Sequence, residues 1–159
     1  MLTPLPTRPR TAPVASHRIA LVVSSYNENY VESMLAKALE EIRAIEPQSH
    51  TEIVHAPGSF EIPFLTRQMI ERRKPDAVIC LGVIFQGESA HASLIANSVS
   101  DALCRISVET MTPVIHSVLF LTDEVQAKER CLGETMNRGT EAARAAIAVL
   151  RAARTIVQR

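Results

Sequence analysis

The residues of this chain best suited to chemistry lie in one short run, Gln86-Gly87-Glu88-Ser89-Ala90-His91. Histidine titrates nearest neutrality and can both give and take a proton. The Gly87, Glu88 and Ser89 backbone could present N–H groups to a phosphate, although the run has neither the Walker spacing nor G-x-G-x-x-G. Arg130 is a second phosphate candidate, since a guanidinium grips such an anion with two prongs. Tyr26 and Phe60 could stack on a planar ring. Glu61 and Glu141 are carboxylates at helix starts. Each has a plainer reading: a surface histidine, a solvent-facing arginine, core aromatics, ordinary helix-start acids. Jointly they supply stacking, anion-binding and proton-transfer groups. No Cys/His/Asp cluster has metal-ligand spacing, and no serine sits in a nucleophile elbow.

The elements that must position these groups can be read from apolar spacing. Ala77 to Phe85 is a near-continuous apolar run broken only by Gly82, as befits a strand covered on both faces. Apolar residues then return at helical spacing at Leu94, Ile95, Val99, Ala102, Leu103 and Ile106. The Gly-Glu-Ser-x-His run therefore falls where a strand's carboxyl end meets a helix start, the usual ligand edge of an open α/β sheet. Upstream, Ile19 to Val23 reads as a first strand ending in Ser24-Ser25-Tyr26-Asn27. The next helix carries Met34, Leu35, Ala38, Leu39, Ile42 and Ile45 on one stripe and is closed by Pro47. Thr51 to Ala56 is a short strand, Pro57-Gly58 a turn, and Ser59 a possible cap for a helix striped by Ile62, Leu65, Thr66, Met69 and Ile70. Pro113 to Leu121 gives a fourth strand, and Thr122 or Asp123 caps a helix through Cys131. Asn137 to Gly139 then precedes an alanine-rich final helix. The alternation predicts a three-layer α/β sandwich, flavodoxin-like, with a four-stranded parallel sheet and helices on both faces.

Length and composition agree with one domain. The 159 residues are 47% hydrophobic, enough for one core. Lys plus Arg equals Asp plus Glu at 17 each, so no basic field points to nucleic acid. No apolar run reaches the roughly 20 residues of a membrane span. Three widely spaced cysteines, Cys80, Cys104 and Cys131, read as buried thiols in a reducing compartment, and a cytoplasmic protein is expected. Residues 1–16 hold four of the nine prolines and no apolar period, which predicts a flexible, extended arm ahead of a single domain over 17–159. With so little apolar surface, the arm is expected to lie on a neighbouring subunit rather than its own.

Six segments together resemble the 6,7-dimethyl-8-ribityllumazine synthase family of riboflavin synthesis: SSYN at 24–27, APGSFEIP at 56–63, DAVICLGVIFQGESAH at 76–91, PVIHSVLF at 113–120, QAKER at 126–130 and NRGTEAA at 137–143. The resemblance implies condensation of 5-amino-6-(D-ribitylamino)uracil with 3,4-dihydroxy-2-butanone 4-phosphate, releasing phosphate and water, with no metal or organic cofactor. It implies that Tyr26 stacks on the pyrimidine, that Ser59, Phe60 and Glu61 hold the ribityl chain, and that Val83, Ile84 and Phe85 offer backbone groups to the pyrimidine edge. Glu88, Ser89 and Arg130 would bind phosphate, and His91 would transfer protons.

Some positions depart from the family pattern. Glu141 stands where an aspartate is usual and Arg138 where lysine is usual, both assigned to the catalytic set. His116 replaces an aromatic that reaches in from an adjacent subunit to close the pyrimidine site. Ala92 and Ser93 replace an aromatic and an acid, and Gln86 replaces a basic residue. The resemblance further implies a homo-oligomer, a pentamer or an icosahedral shell of sixty subunits, with riboflavin synthase as a possible partner. Two alternatives follow from the same features: a flavodoxin-like module binding flavin or nucleotide without turnover, and a shell-forming scaffold.

Overall fold

The structure is a computed structural model that describes residues 4–157. Four strands, β1 (Arg18–Ser24), β2 (His50–Ala56), β3 (Ala77–Phe85) and β4 (Val114–Leu121), form one parallel sheet in the order β2-β1-β3-β4. Helices α1 (Glu28–Ile45), α2 (Ile62–Arg73), α3 (His91–Thr110), α4 (Glu124–Ala127) and α5 (Arg138–Val157) cross between and follow the strands. The expected three-layer, flavodoxin-like sandwich is what forms. Alternate residues of the central strands feed the two cores, because successive strand side chains point to opposite faces. Ile19, Leu21, Val23, Ile79 and Leu81 pack with α1 and α5; Ala20, Val22, Val78 and Cys80 pack with α2 and α3. Edge strand β2 is exposed over most of its length.

The close approach of α1 and α5 rests on one glycine. A Cβ at Gly139 would collide with the Met34 carbonyl, so only hydrogen fits at this crossing. Asn137 sets up the turn: its amide donates to the Cys131 carbonyl at 2.6 Å and its carbonyl oxygen accepts from the Gly139 N–H at 2.8 Å. Asp123 caps α4 by accepting from the Gln126 N–H at 2.9 Å. The expected single helix through Cys131 is instead two pieces, since α4 passes into a π-helical turn over Lys128–Leu132.

Residues 4–16 lie on their own chain. Arg8 grips Glu41 of α1 with two bonds of 2.7 and 2.8 Å, and Arg144 of α5 holds the same carboxylate at 2.7 Å. Arg144 also donates to the Pro6 carbonyl and Arg151 to the Arg10 carbonyl, while the Ala12 N–H donates to Ile45. The expectation that the arm lacks the means to pack on its own subunit is therefore corrected. Ions and backbone groups, not apolar area, hold it. At its end Glu46, fully buried, accepts from Ser49 and Arg151 and faces His17 Nδ1 at 2.7 Å. Burial alone would raise both carboxyls, but hydrogen bonds from Arg8 and Arg144 to Glu41, and from His17 and Arg151 to Glu46, outweigh it and hold them below their usual range.

Candidate active site

At the carboxyl end of the sheet the chain opens into a cavity of about 620 Å³, the size of a small-molecule site. Its walls come from three strand-to-helix turns. Tyr26 and Asn27 follow β1; Gly58, Ser59, Phe60 and Glu61 follow β2; Val83 to Gly87 end β3, and His91, Ala92 and Ile95 begin α3. Tyr26 is 69% and Phe60 60% exposed, so neither is a core aromatic. Their rings are free for a ligand. Phe85, by contrast, is half-buried and packs edge-on against Tyr30, with ring centroids 5.8 Å apart.

Ser59 does not cap a helix by its side chain. It begins a 3-10 turn, Ser59–Glu61, and is buried with its Oγ turned to β3. There Gly82 leaves room: a Cβ would sit 2.9 Å from Ser59 Oγ and 3.1 Å from Val118 Cγ1. The break in the apolar run of β3 is thus the clearance that lets the Ser59 turn reach the strand. His91 occupies the first position of α3, exposed, with its N–H 3.4 Å from Ser89 Oγ. Glu88 and Ser89 stand in the exposed loop beside the cavity rather than in its wall. Of the positions departing from the family, Gln86 and Ala92 line the cavity, whereas Ser93 donates to the Ala90 carbonyl at 2.8 Å.

The other four expected site residues lie elsewhere. His116, Arg130, Arg138 and Glu141 line a separate cavity of about 220 Å³ between β4, the π turn and the start of α5. The expectation that Arg130 and Glu141 surround the same sheet edge as His91 and the aromatics is corrected, whereas His116 was expected to act in an adjacent subunit's site. His116 pairs in register with Cys80, midway along edge strand β4, and not at the strand's end. Its Nε2 lies 2.8 Å from Ser100 Oγ. Arg138 and Glu141 form an ion pair one helical turn apart. Arg130 Nε is buried without a hydrogen-bond partner among the described residues. Such a donor is costly to leave unmet, and an anion in this cavity would satisfy it.

Burial pushes the Cys80 thiol up to about 12 and the Cys131 thiol up to about 11, so neither is a nucleophile near neutrality. Cys104 is exposed on α3, contrary to the reading of three buried thiols. Its position is on the solvent side of an amphipathic helix. Among the described residues no group of His, Cys, Asp and Glu could hold a metal ion, and no helix is long and apolar enough to cross a membrane. Sequence reasoning passed over Asn27 as a site residue; its signal was the polar ending of SSYN immediately before an amphipathic helix.

A parallel α/β sandwich with exposed aromatics, a buried serine turn and a histidine around one heterocycle-sized cavity defines a flavodoxin-like small-molecule site. Residues 16–154 match the family model described as 6,7-dimethyl-8-ribityllumazine synthase. A protein of that name from Thermococcus kodakarensis is 36% identical over 132 residues, covering 82% of each chain. One from Clostridium kluyveri is 37% identical over 131 residues, covering 82% of this chain and 85% of its own. The chain belongs to the 6,7-dimethyl-8-ribityllumazine synthase family.

Proposed function

We propose that this protein is a transferase that condenses 5-amino-6-(D-ribitylamino)uracil with 3,4-dihydroxy-2-butanone 4-phosphate, forming 6,7-dimethyl-8-ribityllumazine, phosphate and water, the penultimate step of riboflavin synthesis. The observation that carries this is the cavity walled by Tyr26, the Ser59–Glu61 turn, the Val83–Phe85 strand end and His91, on a chain of this family. The Tyr26 ring covers one face of the pyrimidine, the end of β3 offers backbone donors and acceptors to its edge, and Ser59, Phe60 and Glu61 take the ribityl hydroxyls. Holding amine and ketone together removes most of the entropic barrier to their condensation. The amine adds to the carbonyl carbon, and water leaves as the imine forms. His91 gives and takes the protons of this exchange and of the phosphate departure that follows.

The second cavity completes the site from a neighbouring copy. Arg130, with its unmet Nε, and Arg138 bind the phosphate together with Glu88 and Ser89; Glu141 orients Arg138, and His116 closes over the pyrimidine. One chain carries these groups in two separate cavities, so a homo-oligomer in which each copy offers its second cavity to the next copy's first is the economical arrangement. A pentamer, alone or in a shell of sixty subunits, is the assembly proposed, working in the cytoplasm without metal or organic cofactor and passing its product to riboflavin synthase. Mixing the two substrates and following lumazine fluorescence tests the reading. Absence of that fluorescence with folded, assembled protein would refute it.

A further inference from the structure

Asn27 breaks two local rules at once. It occupies the N-cap of α1, where an asparagine side chain ordinarily accepts from the N–H groups of the first turn, yet it makes no side-chain cap bond. Its backbone is left-handed, at φ 56°. Lys74 and Met111 share that conformation, but both follow the last residue of a helix, where it is routine. At a helix start it is not. Outliers of this kind persist where the surroundings hold them, and they gather at functional sites.

The side chain freed from capping reaches the end of β3, the strand beside β1. Its Nδ2 donates to the Val83 carbonyl of β3 at 2.7 Å. The Asn27 backbone carbonyl accepts from the Tyr30 N–H at 3.1 Å and the Val31 N–H at 3.3 Å. Just upstream, the Tyr26 N–H donates to Ser24 Oγ at 3.1 Å and the Ser25 N–H to the Ala56 carbonyl at 2.8 Å. Tyr26, 69% exposed, has little packing of its own to fix it. The turn that carries it is therefore tied to β1, β2 and β3, and Asn27 is the tie to β3, whose end forms part of the cavity wall.

We propose that Asn27 is a positioning residue that sets the gap between the Tyr26 ring and the end of β3, and so the affinity for a planar pyrimidine, by bonding the β1–α1 turn to Val83. The ligand class rests on the condensation reading above; the tie itself rests on the geometry alone. Asn27→Asp tests it sharply. A carboxylate tolerates the left-handed backbone and suits a helix start, but it presents no donor to the Val83 carbonyl. The expected result, by calorimetry with ribitylaminouracil alone, is roughly tenfold weaker binding, the effect of losing about one net hydrogen bond. The Michaelis constant for the butanone phosphate stays unchanged and the thermal midpoint stays at or above the parent's. Asn27→Gly, which keeps the backbone freedom and loses the tie, should weaken pyrimidine binding similarly. Amide hydrogen exchange over residues 26–31 should quicken in both variants, even if the parent proves not to bind the pyrimidine; that outcome would sink the condensation reading and leave the tie standing. Unchanged exchange, or an affinity loss that appears only with a matching fall in thermal midpoint, would overturn the proposal.

Discussion

His91 stands at the start of α3 in the cavity wall, and among the described residues its side chain makes no hydrogen bond. Its removal should therefore cost proton transfer and little else. His91→Ala is expected to lower kcat by about 10²-fold, the low end for acid-base catalysis, because amine and ketone condense readily once held together. Titration calorimetry with the pyrimidine should show binding near the parent's; a variant as fast as the parent would take His91 out of the mechanism. Arg130→Ala should raise the Michaelis constant for the butanone phosphate by tenfold or more, with the pyrimidine's nearly unchanged. Arg130→Lys should recover part of that, since an ammonium lacks the planar fork. Equal losses for both substrates would point to damaged assembly instead. Residue identity was enough to single out His91, Tyr26 and Phe60, which the fold brings to one cavity. It could not show that Arg130 belongs to a second cavity, because that depends on where a π turn and an edge strand put it.

Among the elements, strand β3 was readable to the residue, since only a strand covered on both faces explains nine nearly all-apolar positions. Helix α1 was equally clear from its stripe and from Pro47. The π turn over Lys128–Leu132 was not, because its one-residue widening leaves apolar spacing almost unaltered. The Gly139 crossing was also hidden: the sequence shows a glycine in NRGTEAA, but only the packing of α5 on α1 reveals that no Cβ fits. Gly139→Ala should destabilise the fold by about 3 kcal/mol or more through displaced helices, read as a lowered denaturant midpoint. An unchanged midpoint would mean that the crossing yields freely. At β3, Gly82→Ala should push the Ser59 turn aside and weaken pyrimidine binding more than it lowers stability.

For the whole molecule, the two carboxylates that clasp the arm contribute to the response to acid. Glu41 and Glu46 have folded values held below the ordinary 4.5, so their contribution is present above that pH and is lost as pH falls through the lowered values. Thermal midpoints should drop on the acid side. Glu46→Gln should lower stability near neutrality by about 3 kcal/mol, because Arg151 loses its buried charge partner, and it should flatten the acid limb of a midpoint-against-pH plot. A limb as steep as the parent's would assign acid sensitivity to other groups. Activity should also follow assembly: on dilution, rate per subunit falls as complexes dissociate. Light scattering beside activity would expose a fully active monomer, which is incompatible with a site shared between copies. The layered fold was legible from alternating elements; the arm's docking was not, because it depends on ion pairs between residues more than thirty positions apart.

The clasp on that arm also imposes an order in time. Arg144 and Arg151, which hold the Pro6 and Arg10 carbonyls, are separated from them by 138 and 141 positions and belong to the final helix. A ribosome delivers the arm first and these two fasteners last. Early in synthesis Arg8 on Glu41 and the Ala12 N–H on Ile45 hold the arm, and Arg144 and Arg151 join them once α5 has left the exit tunnel. Completing the clasp is an event that waits for α5.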